Sequence, residues 1–246
     1  MKQTIISRFL AIALMMTTGN LAANAGWTDN LSPYDLNAPL GWATVDGNVT
    51  GGEGGTKVTV TNKTELMNAL KGTDKKIIYV DGEIEFSGLT NVNSVQNKTI
   101  IGMKGAAFVN SKHSASVSET GIMQLSSCKN IILRNIIFKS AGAYDIDGND
   151  NLTIIGSTYI WVDHCDFQDG VDGNFDCVNG SDNICVTWCR FRYLIAPWAG
   201  GSGGSNDHRN CPLLHRLWLQ VEHLCRKQRF HKQRNKEDSL EKLCHK

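Results

Sequence analysis

Four aspartates carry the chemistry that this sequence suggests first. Asp172 and Asp176 are four residues apart in Asp172-Gly-Asn-Phe-Asp176, and Asp150 precedes Asp172 by 22 residues. Asp147, in Asp145-Ile-Asp-Gly-Asn-Asp150, is a further candidate. Carboxylates are hard oxygen donors, and calcium takes about six to eight such oxygens. In an extended chain, residues four apart face the same way. If about 22 residues made one turn of a coiled chain, Asp150 would lie beside the other two, since neighbouring strands run about 4.8 Å apart. The competing reading is that these acids are ordinary turn formers, for Asp is common in turns. The run from Asp145 lacks the later Glu of an EF-hand. His164 sits between strand-like apolar neighbours and reads as a hydrogen-bonded structural histidine rather than a base.

The elements that must position these acids repeat. Asn130 to Phe138, Tyr159 to Phe167 and Asn183 to Phe191 share one frame, with apolar residues near the start and Phe eight positions on. The starts are 29 and 24 residues apart. A period of roughly 20–30 residues signals stacked coils, each too small to bury its own apolar side. Further strands are expected at Lys57–Thr61, Lys76–Val80, Glu83–Phe86, Lys98–Ile101, Gly105–Val109 and Asn151–Ile155. One helix is expected over 63–71, with Asn62 as N-cap, Glu65 completing a capping box and Gly72 just past the end. A single helix excludes α/β folds and helical solenoids. The fold expected is all-β, a right-handed single-stranded parallel β-helix with a short N-terminal helix. A β-sandwich competes on strand spacing, helped by the Asn179-Gly180 hairpin dipeptide.

The formal net charge is +1 over 246 residues, which argues against general attraction to nucleic acid or an anionic membrane. Residues 1–25 combine Lys2 and Arg8, a short apolar run and Ala23-Asn24-Ala25, the pattern of a secretory signal peptide. That run is too short to span a bilayer. The expectation is an exported monomer, extracellular or periplasmic, without a membrane span. Of the eight cysteines, Cys165, Cys185 and Cys189 lie inside apolar strands and read as small hydrophobes. The glycine-rich Gly51–Gly55 lacks the Lys and Ser/Thr of a phosphate loop.

Trp161-Val-Asp-His164, Asp172-Gly-Asn-Phe-Asp176 and Gly180-Ser-Asp-Asn-Ile-Cys-Val-Thr-Trp-Cys189 follow one another. In combination they resemble the pectate lyases of polysaccharide lyase family 1, as do Gly41 to Gly55 and the stretch from Thr64 to Phe86. The resemblance spans roughly residues 41–209. It implies a right-handed parallel β-helix and calcium-dependent β-elimination of α-1,4-linked polygalacturonate, the backbone of pectin. It implies calcium ligands at Asp172, Asp176 and Asp150. The family's preceding ligand falls near Gly148, so Asp147 is the stand-in. It also implies a structural role for His164.

The match then breaks. The family's catalytic arginine belongs to an R-x-P-x-x-R element that this sequence lacks, so no catalytic base is assigned. Its substrate-contacting lysine has no counterpart in Arg192-Tyr-Leu-Ile-Ala-Pro-Trp. Arg192 and Arg209 are the cations nearest that region and the candidates for substrate carboxylates. All 24 glycines fall within the first 204 residues, and residues 211–246 carry nine Lys/Arg against four Asp/Glu. The expectation is a β-helix over 26–210 with its C-terminal coils missing, followed by a basic tail of frameshifted or unrelated sequence. Two rival readings are a polygalacturonase-like hydrolase and a non-catalytic glycan-binding β-helix.

Overall fold

The structure is a computed structural model that describes residues 41–142 and 148–195. Short strands in which inward apolar residues alternate with outward polar ones dominate it, because that pattern suits a wall with one dry face. In chain order they are β1 (Thr56–Val60), β2 (Lys76–Val80), β3 (Glu83–Glu85), β4 (Thr90–Asn93) and β5 (Gln96–Gly102). Next come β6 (Ala107–Asn110), β7 (Met123–Ser126), β8 (Lys129–Arg134), β9 (Ile137–Ser140) and β10 (Leu152–Ile155). Last are β11 (Thr158–Asp163), β12 (Asp166–Gln168), β13 (Phe175–Val178), β14 (Asp182–Thr187) and β15 (Arg190–Arg192).

The strands build three parallel sheets, ordered β1-β2-β5-β8-β11-β14, β15-β12-β9-β6-β3 and β13-β10-β7-β4. From β2 onward the chain visits the six-, five- and four-stranded sheets in turn, so each circuit is one coil of a parallel β-helix. Parallel pairing throughout rules out the sandwich. The frame is as expected: β8, β11 and β14 align Lys129 with Thr158 and Asp182. The three segments read as single strands are each two, however, broken at Asn135, His164 and Trp188, all in the left-handed region (φ 57°, 51° and 52°). β4 and β7 lie beyond the strands expected, since Thr-Asn-Val-Asn and Met-Gln-Leu-Ser carry little apolar signal.

Inside, like residues stack on like. Phe108, Phe138, Phe167 and Phe191 occupy one register of the five-stranded sheet. Their ring centroids follow at 5.3, 4.8 and 5.0 Å. Cys128, Cys165, Cys185 and Cys189 are buried, as small hydrophobes would be. The helix α1 (Lys63–Leu70) covers the first coil with Leu66, Ala69 and Leu70. Asn62 accepts from the Glu65 N–H, but the carboxylate of Glu65 reaches back to Thr61 rather than to the cap residue.

A strap formed by residues 41–52 crosses the outer face of the six-stranded sheet, back along four coils. Asn183 donates to the carbonyls of Trp42 and Val45, and the Tyr159 hydroxyl to that of Asp46. Asn130 accepts from the N–H groups of Thr50 and Gly51, and Thr99 from that of Gly52. A Cβ on Gly52 would stand 1.9 Å from the Lys76 carbonyl oxygen, so only glycine lets the chain pass there. Ala43 and Val49 seal Ile132, Trp161 and Cys185 beneath the strap.

Candidate active site

Asp150 and Asp176 lie on adjoining coils at one edge of the four-stranded sheet, and Asp172 is in the turn that leads into it. Asp176 is in β13, between the inward Phe175 and Cys177, and so faces outward. Its register partner on β10 is Thr153, whose hydroxyl donates to Asp150 Oδ2 at 3.1 Å. Asp150 and Asp176 thus flank Thr153 on adjoining coils. Asp172 lies in the turn before β13, not in the strand itself. Asp150 is buried, while Asp172 and Asp176 are half-buried.

Two asparagines fix these turns. Asn151 donates to the Gln168 carbonyl and to Asn174 Oδ1, both at 2.8 Å, and accepts from Ser140 at 2.6 Å. Asn174 Oδ1 also accepts from the Gly170 N–H. The turns next to Asp150 and Asp172 are therefore held by a buried amide ladder, not by the strands alone.

The carboxylates and the Thr153 hydroxyl are hard-oxygen donors of the kind calcium takes. Among the described residues, no three His, Cys, Asp or Glu side chains converge as a metal site. Position 148 has little room for a ligand, since a Cβ there would meet Val171 at 2.8 Å. Asp147 and Arg209 lie outside the described residues.

Arg192 is bonded to Asp166, which also binds Arg190. Arg192 Nη2 stands at 2.5 Å and Arg190 Nη2 at 2.6 Å from Asp166 Oδ2, and Gln168 donates to the same carboxylate at 2.8 Å. Sequence reasoning overlooked Asp166. The signal was present, since residues alternating with the inward Phe167 must face out. Thr153 was also missed, because a lone threonine carries no motif.

His164 is a structural residue. Its Nδ1 lies 3.0 Å from Asp163 Oδ2, and its ring stacks on Trp188 with centroids 6.1 Å apart. Asp163 is fully buried and accepts from Arg134 Nε at 2.9 Å and Thr187 Oγ1 at 2.5 Å. Arg134 lies over the Trp161 ring, whose Nε1 donates to Thr187. This network is on the outside of the six-stranded sheet, away from Asp176 on the four-stranded one.

The family described as Pectate lyase matches residues 13–191 of this sequence. The chain belongs to the pectate lyase family. It is 32% identical over 178 residues to Pectate lyase plyB of Emericella nidulans, covering 69% of this chain and 49% of that protein. It is 32% identical over 167 residues to the Pectate trisaccharide-lyase of Thermotoga maritima, covering 62% of this chain and 42% of that one. The chain thus spans about half the length of the curated relatives it matches. The solved structure of a thermostable pectate lyase, PL 47, shares the fold with a TM-score of 0.50 at 21% identity, covering 70% of this chain and 62% of that one. No helix among the described residues is long and apolar enough to cross a membrane.

Proposed function

We propose that this chain carries the cation-binding part of an exported, calcium-dependent pectate lyase that cleaves polygalacturonate by β-elimination. The observation that carries the reading is the placement of Asp150 and Asp176 on either side of Thr153, on the outer face of the four-stranded sheet. Asp150, Asp172 and Asp176 would hold the ion, with Asp147 as the candidate fourth acid. Bound calcium would neutralise the uronate carboxylates and acidify the proton on the adjacent C5. The acids alone would repel a polyanion. Thr153 and the Asn151–Asn174 ladder set the acid side chains in advance, so little order need be gained on binding.

In the elimination the C5 proton passes to a base, the C4–O bond breaks with its electron pair leaving on oxygen, and a C4–C5 double bond forms. The base is the part with no counterpart here. The R-x-P-x-x-R element is absent from the sequence, and Arg192 is engaged by Asp166. We therefore expect calcium binding with little or no turnover.

Two measurements test this. Calcium titration followed by calorimetry should give a bound ion in the wild type and a loss of at least about tenfold in affinity in Asp176→Asn. Ultraviolet absorbance of the unsaturated product should stay at background with polygalacturonate and calcium. Rapid calcium-dependent absorbance growth would overturn the predicted defect, and reducing ends without absorbance would point to a hydrolase. Export is tested by the mature N-terminus, expected at Gly26, and the monomer by light scattering.

A further inference from the structure

Cysteine stacks on cysteine where two adjoining coils turn from the six-stranded to the five-stranded sheet. Cys165 lies between β11 and β12, and Cys189 between β14 and β15. The strands on either side are in register, Asp163 with Thr187 and Asp166 with Arg190, so the two cysteines hold one position on successive coils. The main chain bears this out. The Arg190 N–H donates to the Cys165 carbonyl at 2.9 Å, and the Cys165 N–H to Cys189 Sγ at 3.4 Å. Both side chains are free thiols, 0% and 1% exposed.

The other described cysteines have different neighbours. Cys185 is in register with Trp161 and Cys177 with Ile154, while Cys128, one residue before the paired Lys129 and Thr158, stacks on Ser157. Among the described residues, Cys165 and Cys189 are thus the one cysteine pair in register. Coils of this kind rise by about 4.8 Å. A disulfide spans Cα atoms about 4.4–6.8 Å apart, so stacking sets the two backbones at bonding distance. Cys189 Sγ already points back at the coil of Cys165. Cys165 Sγ is turned one coil further back, toward the Leu133 carbonyl at 3.8 Å, with its own Asp163 carbonyl at 3.4 Å. Rotation about its Cα–Cβ bond would turn it toward Cys189.

We propose that Cys165 and Cys189 are a site of oxidation, joined into a disulfide by a small-molecule disulfide while the coil that carries β14 and β15 is still open. One cysteine thiolate attacks the small disulfide, forming a mixed disulfide and expelling a small thiolate. The second cysteine attacks the mixed disulfide at the protein sulfur, forming the Sγ–Sγ bond and expelling the other. Two protein thiols are oxidised, one small disulfide is reduced to two thiols, and the two protons end on those thiols. In the closed fold, burial first and then Cys165 beside it hold the Cys189 thiol well above its ordinary range, so little thiolate forms there. The bond therefore forms before closure and is shielded from reductants afterwards. It would close the loop 165–189, which carries Asp172 and Asp176, at its base. The pairing rests on the stacking alone and not on the acid site.

The test starts from the full chain purified reduced. It is incubated with oxidised glutathione or with dithiothreitol in urea just below the unfolding midpoint, freed of urea, and either melted or alkylated under denaturing conditions and digested with chymotrypsin. Cleavage after Trp161, Phe167, Trp188 and Phe191 puts Cys165 in 162–167 and Cys189 in 189–191, apart from Cys177 and Cys185. Mass spectrometry should find these two peptides linked in the oxidised sample and alkylated singly in the reduced one. The oxidised protein should melt about 5–10 °C higher, the scale of closing a loop of this length. Cys189→Ala should abolish that difference. Cys128→Ala, at a buried cysteine outside the pair, should lower both melts and keep it. The wild-type peptides decide the pairing even if a variant does not fold. Peptides 162–167 and 189–191 unlinked after oxidation, a link from either to another cysteine, or an oxidised melt no higher than the reduced one would each overturn the proposal.

Discussion

Asp163 and Asp169 are both buried carboxylates, and they face different partners. Asp163 neutralises Arg134, itself buried and lying over the Trp161 ring. Removing one member of a buried pair leaves the other charge uncompensated, which costs about 3–5 kcal/mol. Asp163→Asn should lower stability by that amount in urea unfolding, and a loss below about 1 kcal/mol would show that water reaches Arg134. Asp169 has backbone N–H groups for partners. Burial raises its carboxyl above the ordinary range, while the N–H groups of Ile195 and Leu194 pull it the other way. A carboxyl raised on folding gains stability for the fold as pH falls through the raised value, and that gain is absent at neutral pH. Both bonds end on Oδ1, an atom that asparagine retains. Asp169→Asn should therefore be at least as stable as the wild type at about pH 7, with the difference shrinking toward about pH 4. Thermal melts across that range check it; a gap that widens on acidification would refute the assignment.

At the scale of elements, the corners decide the fold. Asn97, Asn130, Tyr159 and Asn183 hold successive coils of the six-stranded sheet in the left-handed region, with φ of 55° to 60°. Asn130 tolerates that conformation and also bonds the strap through Oδ1 and Nδ2. Asn130→Ala should cost about 2–4 kcal/mol, from left-handed strain and lost partners of the strap. Asn130→Gly, free of the strain, should cost less, and chemical denaturation of the two variants gives the order. Reversal of that order would mean the backbone conformation there is not strained. The repeat from Asn130 to Tyr159 to Asn183 was legible because the inward positions stay aliphatic from coil to coil and Phe recurs eight residues on. The corner at His164 was not, since nothing in Trp-Val-Asp-His-Cys marks a left-handed residue. Asp150 and Asp172 were legible as acids about one coil apart, with Asp176 four residues further on. The Thr153 between Asp150 and Asp176 and the Asn151–Asn174 ladder were not, because they depend on the register between coils, which spacing fixes only to within a residue.

For the whole molecule, stability is distributed along an axis. Each coil packs on the next, as the phenylalanine stack shows. Phe167→Ala should cost about 3–5 kcal/mol. In a stacked array that loss is felt first by neighbours. Hydrogen exchange should quicken in β9, β12 and β15 before it quickens in β1 and β2; uniform loss of protection would mean the coils unfold as one unit.

The strap sets a condition on that order. Its residues are made before any coil exists, yet Trp42 finds its partner at Asn183, 141 positions later. The bonds to Asn130 and Thr99 close shorter loops, 80 and 47 residues apart. Contacts so distant in sequence are slow to form, since loop closure must precede any gain. During synthesis the strap can meet the early coils first and must wait for β14 to complete its course. The last latch of the native state therefore closes only after the coil that carries β14 has been made.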